Sequence, residues 1–384
     1  MTLIIFLIVL SVLVLIHELG HFLAAKIFGV KTYEFGFGFP PRALGFVKDR
    51  GRWKRVHNGD QTEYKRTIWS INWLPFGGFV RLKGEQEDGI GDADSMVMKP
   101  IWQRLVIIAA GVGLNWFLAV VLFFIAFSFG VTAILDELPA GARVADRATL
   151  ITQVLPSSPA SEAGIEAGDE IRSIAGTSPL NEKNARDLIS AKGTEEFTVK
   201  IKRGQIEKEF KVTPRLIPEI GKPGLGVGLA DVGTVSFTPP QAAWQAVYMT
   251  YSMTKAVLWA FGGIFKDLVV KRQVTQDLSG PVGIAVMTGQ VARQGLMPLL
   301  QFAATLSVNL AVINFLPIPA LDGGRILFLA IEKVRRRPVS RKLEIAIHNV
   351  AFILLVLVIV LVTARDLFRY GGLIIGGVKG WVGM

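Results

Sequence analysis

The sequence predicts a multi-pass α-helical membrane protein of four transmembrane helices, carrying a β element after the first helix and a small β-rich domain between the second and third. Three observations predict it. Of the 384 residues 51% are hydrophobic and only 19% charged, and the mean hydropathy of +0.44 exceeds what a soluble globular chain usually tolerates. Four apolar runs are long enough to form membrane helices, and one long stretch between them switches to alternating apolar and polar residues.

The first helix, expected within residues 1–30, opens on an almost unbroken apolar run from Met1 to Val14. No positive charge precedes this run and no small-residue cleavage signal follows, so a retained helix is expected and not a removed signal peptide. The other three spans are expected at 102–131, 299–324 and 345–364, each matching the roughly 20 helical residues that cross a hydrocarbon core of about 30 Å. Bases crowd residues 31–101 (Arg50, Arg52, Lys54, Arg55, Lys65, Arg66) and the link after Leu321 (Lys333, Arg335, Arg336, Arg337, Arg341, Lys342), which marks both as cytoplasmic. Both chain ends and the long insert then lie outside, although Arg365 and Arg369 run against this at the C-terminus. Residues 241–270 are aromatic and apolar (Trp244, Tyr248, Tyr251, Trp259) but broken by Lys255 and Gly262-Gly263, and are expected as an amphipathic helix lying in the outer interface.

The insert, residues 142–235, alternates instead of running on. Strands are expected at Ile151–Val154, Glu170–Ile174, Thr198–Lys202 and Ile206–Val212, the last two as a hairpin about Arg203-Gly204-Gln205, with a short helix from Asn181 to Ser190 opened by its Asn.

Charge and cysteine content narrow the function. Lys and Arg total 42 against 31 Asp and Glu, a formal +11 that suits either nucleic acid or an anionic membrane face; the apolar composition selects the lipid bilayer as partner and leaves no nucleic acid. With no cysteine, disulfides, thiolate metal sites and a cysteine nucleophile are all excluded. Gly36-Phe37-Gly38 is no nucleotide loop, because Pro40-Pro41 follows and no strand and helix flank it.

Two of the four histidines stand in His17-Glu18-Leu19-Gly20-His21, an H-E-x-x-H motif at the end of the first apolar run. A spacing of four turns a helix by about 400°, so both imidazoles share one face, as two metal ligands must. Glu18 stands beside that face, placed to take a proton from a metal-activated water. Ionisable groups in a membrane helix are costly and mark function. Leu3 to His17 is about 14 residues, roughly 21 Å of helix, so the site is expected inside the hydrocarbon layer, nearer the cytoplasm. A longer histidine motif would need Gly and His where this chain has Ala24 and Ile27. Glu63, Glu85 and Asp322 are candidates for a third ligand. Asp322 follows a helix-breaking Asn314-Phe-Leu-Pro-Ile-Pro-Ala-Leu and precedes a glycine pair that lets backbone approach closely. If residues 241–270 do not cross, the third span runs inward and brings Asp322 to the side where the histidines lie; the metal site therefore requires four spans.

Together these motifs resemble a site-2-type intramembrane zinc metalloprotease of the bacterial regulator-of-sigma-E protease group. The likeness runs through His17–His21, Gly77–Val80, Ala110–Asn115, Pro159–Ile171, Ser279–Gly283 and Asn314–Gly324. It implies that His17, His21 and Asp322 bind Zn2+, that Glu18 activates the water, and that Asn314 and Asn309 contact the substrate backbone or the developing oxyanion. It also implies that residues 63–84 form part of a membrane-associated β element, where pattern alone would fit a cytoplasmic hairpin, and that the insert is a single PDZ-like domain. That domain either binds a peptide C-terminus or excludes substrates with an untrimmed outer domain. Two departures stand out: Val112 replaces the usual proline, and there is one PDZ-like insert where the best-known members have two. The implied substrates are single-span proteins, such as an anti-sigma factor or a remnant signal peptide, in the bacterial cytoplasmic (inner) membrane. Two rivals are a catalytically silent scaffold that retains partners through the insert, and a divalent-metal transporter. An intact Glu18 argues against the first, and the absence of repeated spans against the second.

Overall fold

A computed structural model describes the chain except residues 61, 63, 86–88, 136–137, 140, 205, 218–221, 271–279, 338 and 383–384. Glu63, Gln205 and Ser279 thus lie outside the described residues. The chain forms two compact units: Met1–Ile125 with Ala243–Met384, and Ala126–Ala242.

The first unit begins with α1 (Thr2–Ile27), which ends where Gly29 turns to a positive φ of 64° and the next residue starts a new direction. There follow β1 (Thr32–Asp49), β2 (Arg52–Arg55), β3 (Ile68–Leu82) and α2 (Ile101–Phe129). The long strands β1 and β3 each double back. Phe35 pairs with Trp69 on one side and Val80 on the other, while Phe46 pairs with Trp69 and Arg55. Residues 78–82 therefore form one edge of the sheet, bonded to β1 on a single flank. The tip between the two arms of β3 docks on the middle of α1. Ser11 Oγ donates to Pro75 O at 3.1 Å and accepts from Gly77 N at 3.2 Å. Gly77 has φ 71°, and a Cβ there would stand 2.7 Å from Val14 Cγ1, so only glycine makes this turn against the helix.

The second unit contains β4 (Val131–Ile134), β5 (Arg143–Val154), α3 (Pro159–Ala163), β6 (Glu170–Ile174), α4 (Glu182–Ala191), β7 (Phe197–Arg203), β8 (Ile206–Val212), β9 (Arg215–Ile217), β10 (Lys222–Gly224) and β11 (Val227–Ser236). Its main sheet has the order β4-β11-β5-β6-β7-β8, and every pairing is antiparallel. Inward residues Ile151, Ile171, Val199, Ile201 and Val212 pack with Ala185 and Ile189 of α4. Asn181 Oδ1 accepts from Asn184 N at the start of α4, the capping bond the sequence leads one to expect. β5 extends eight residues beyond the alternation at its N-terminal end, as partner to β11.

The chain continues in α5 (Pro239–Val270), α6 (Pro281–Gln294), α7 (Leu296–Phe315), α8 (Asp322–Arg335) and α9 (Arg341–Val382). Among the described residues four helical stretches are long and apolar enough to cross a membrane: Thr2–Ile27, Ile101–Phe129, Leu296–Phe315 and Lys342–Arg369. The third is shorter than expected. Pro317 and Pro319 stop it at Phe315, and Asp322 opens a separate helix. α5 covers the residues expected as an interfacial amphipathic helix. Its centre reaches the middle of two apolar helices, with Trp116 Nε1 donating to Thr254 Oγ1 at 3.2 Å and Thr305 Oγ1 lying 3.8 Å from Met253 Sδ.

Candidate metal centre

α1 and α2 approach closely at two glycines. A Cβ on Gly20 would lie 2.3 Å from Ala110 O, and one on Gly111 would lie 2.5 Å from His21 Nε2 and 2.9 Å from His17 Cε1. Small residues at this crossing thus set the histidines directly against the second helix. Both rings are buried, at 6% and 8% exposure, and stand edge to face at 4.8 Å.

The break after α7 delivers Asp322 to the same place. Its Oδ2 lies 3.0 Å from His17 Nε2 and 3.3 Å from His21 Nε2, and the two Nε2 atoms are 3.2 Å apart. Ligands at zinc bond lengths of roughly 2.0–2.2 Å in a tetrahedron are separated by about 3.3–3.6 Å, so this triangle is close to, and slightly tighter than, the edge of a tetrahedral zinc site. Asp322 Oδ2 is buried and has no further hydrogen-bond partner among the described residues. Among the described residues, these three form the one His, Asp and Glu group able to hold a metal ion together.

The outer atoms of the imidazoles are also engaged. His21 Nδ1 donates to Ile107 O at 2.9 Å, the bond by which a neutral ring would present Nε2 to a metal. Asn115, fully buried on α2, meets His17 Nδ1 through its amide at 3.3 Å, while its Oδ1 has no partner. Turning the amide by 180° gives Oδ1 a partner, since it then accepts from the Nδ1–H that a ligating His17 would carry. Ser307 Oγ donates to Asn115 O at 2.8 Å and ties this residue to α7.

Glu18 lines a cavity of about 140 Å³ with His21, Asp322, Glu85, Arg325 and the strand residues Val80 and Leu82. Asn314 Nδ2 is 3.4 Å from His17 Nε2. Asn309 stands five residues earlier on α7, about 140° round the helix from Asn314, and makes none of the described bonds that join the cluster. Glu85, one of the alternative ligands, instead pairs with Arg325 at 2.5 Å, which occupies its charge. Residues for which sequence reasoning provides no role are Gly111, Asn115, Arg325 and His348; the signal for the first two was a glycine and an amide in an otherwise apolar helix.

Residues 5–358 match peptidase family M50. A Clostridium perfringens protein named as a zinc metalloprotease is 35% identical over 360 residues, 93% of this chain and 96% of that protein. The regulator of sigma-W protease RasP of Bacillus subtilis is 29% identical over 448 residues, spanning 96% of this chain and 98% of its own length. Among solved structures, the PDZ domain of an SdrC-like protein from Listeria monocytogenes is 24% identical and covers 23% of this chain and 92% of that chain, with a TM-score of 0.21.

Proposed function

The chain belongs to peptidase family M50, and from that premise we propose that His17, His21 and Asp322 hold its zinc, that Glu18 is its general base, and that it cuts peptide bonds within transmembrane segments of single-span proteins. It is a site-2-type zinc metalloprotease and a membrane protein. One observation carries the assignment of residues: three ligand atoms spaced 3.0–3.3 Å apart, with Glu18 on the same small cavity.

Bound zinc supplies a Lewis acid that polarises a carbonyl and lowers the pKa of a water. Glu18 takes the proton of the attacking water and delivers it to the departing amine. Asn314 Nδ2 is a neutral donor at the edge of the cluster and steadies the charge growing on the carbonyl oxygen. Ile107 O and Asn115 keep both imidazoles turned to the metal throughout.

A substrate helix shields its peptide bonds by its own hydrogen bonds and must be extended before it is cut. The sheet edge at residues 78–82 offers a pairing partner, and its Val80 and Leu82 line the cavity that holds Glu18. An unwound segment added to this edge has its backbone groups satisfied where lipid could not do so. The bonds from Ser11 to Pro75 and Gly77, halfway along α1, support a membrane-associated β element.

The four-span topology has independent support. Gly289 of α6 abuts Thr2 at the start of α1, while Asn314 at the end of α7 reaches His17, so α1 and α7 run in the same direction. With α2 and α9 returning, α5 leans into the bundle from the outer face without counting as a span, and residues 131–238 are extracytoplasmic. We read that unit as a PDZ-like gate that excludes untrimmed substrates, and its target class as membrane-anchored regulators such as anti-sigma factors, or remnant signal peptides, in the bacterial cytoplasmic membrane. The name of the Bacillus relative supports a regulatory substrate.

The test is a pair of variants assayed on a membrane-embedded reporter. Glu18→Gln is expected to retain zinc and lose at least about 100-fold in cleavage, and Asp322→Ala to lose both. Cleavage at the parent rate by the Glu18 variant overturns the mechanism.

A further inference from the structure

The proposed third ligand follows a turn with an uncommon backbone. After Phe315 the chain turns through Leu316–Leu321, with Ile318 N donating to Leu316 O at 2.6 Å and Leu321 N to Ile318 O at 3.2 Å. Ala320 lies in this turn at φ 77°, a left-handed conformation that a residue with a Cβ adopts only when its surroundings enforce it. The turn is also pressed against the start of α8. A Cβ on Gly323 would be 2.0 Å from Leu316 O, and one on Gly324 would be 2.5 Å from Ile318 O. Because the turn and the first residues of α8 are in such contact, the turn cannot relax without shifting Asp322.

What enforces Ala320 comes from a different helix. Its N–H donates to Nδ1 of His348, on α9, at 2.9 Å. The imidazole is steadied by the Phe328 ring at 5.5 Å, and its Nε2 is buried with no partner among the described residues. The ring is therefore oriented for a single bond, and that bond fixes the peptide two residues before the metal ligand.

We propose that His348 is a positioning residue for Asp322: from α9 it holds the Ala320 peptide in its left-handed turn and so keeps the carboxylate within reach of His17 and His21. This rests on the reading of Asp322 as a zinc ligand. Without an acceptor at this point the Pro319–Ala320 peptide is free to rotate, Ala320 returns to an ordinary φ, and the carboxylate leaves the triangle. α9 thereby gains a direct hold on the metal centre, although it contributes no ligand.

The experiment measures zinc affinity of the purified full-length protein by competition with a chromogenic chelator, so it does not depend on activity. His348→Asn places an amide oxygen where Nδ1 lies and can still accept from Ala320; His348→Gln is equally polar but its oxygen overlies Nε2 and cannot. The Gln variant is expected to bind zinc about 10–100-fold more weakly, with the Asn variant recovering most of the loss. Asp366→Asn serves as control, since Asp366 also lies on α9 but bonds Gly283 N of α6 at 2.7 Å; it is expected to lower the melting temperature and leave zinc affinity unchanged. Equal affinity in the Asn and Gln variants, or an equal loss in the Asp366 variant, overturns the proposal. Asp322→Ala separates the two levels: if it binds zinc like the parent, the ligand assignment itself fails, whereas if it loses zinc while His348→Gln does not, only the positioning role does.

Discussion

At the scale of single residues, the proposed metal centre would depend on atoms that do not touch the metal. A ligating imidazole needs its far nitrogen held, and here one is held by a backbone carbonyl and the other by an amide buried in α2. Asn115 therefore provides a sharp test. Asn115→Asp keeps an oxygen to accept from His17 Nδ1–H and is expected to retain zinc, whereas Asn115→Leu is expected to weaken binding by about 10–100-fold. The reverse order, measured by the same chelator competition, would mean that the amide nitrogen is the partner of His17. The histidines themselves were legible in the sequence because a spacing of four leaves a mark on a helix. Gly111 and Asn115 left a fainter one: a single glycine and a single amide in an apolar run carry no period, and their roles come from the imidazoles standing 2.5–2.9 Å from where a Gly111 Cβ would be and from the contact of Asn115 with His17. His348 was hidden for another reason, since nothing local relates it to a turn 28 residues earlier.

At the scale of elements, the sequence was most readable where one face of a strand or helix is buried by its own unit. The alternation in β6 and β8 marks their bounds to the residue, and the Asn cap marks α4. It was least readable where a neighbour decides the outcome: the doubling back of β1 and β3 depends on bulges with no pattern of their own. Within the second unit, one network lends itself to a pH test. Asp169 is pushed up by burial, but Arg203, which donates from Nε and Nη2, and the Glu166 amide more than offset this and hold its carboxyl below the usual range. A depressed folded-state pKa contributes stability above the unfolded value of about 3.9, and that contribution is lost as pH falls through the folded pKa. Asp169→Asn is thus expected to lower the melting temperature of this unit at pH 7, and the difference from the parent should shrink steadily on acidification below about pH 4. A gap that widens in acid would contradict the sign.

For the whole molecule, the proposed site sets a condition on how the chain threads the bilayer. A chain that crosses an even number of times before α7 can bring Asp322 back to the histidines, and an odd number cannot. On the four-span proposal, the bases after α8 and the exposed charges of β8 are expected on opposite sides of the membrane. Because the natural chain has no cysteine, introduced thiols report without background. Lys208→Cys on β8 and Lys333→Cys near the end of α8 are both exposed positions outside the metal cluster. In intact cells a membrane-impermeant maleimide is expected to label the first and to reach the second only after permeabilisation. Labelling of both from the same side would leave Asp322 and the histidines joined by an impossible path, and the four-span arrangement would have to be abandoned along with the direction assigned to α7.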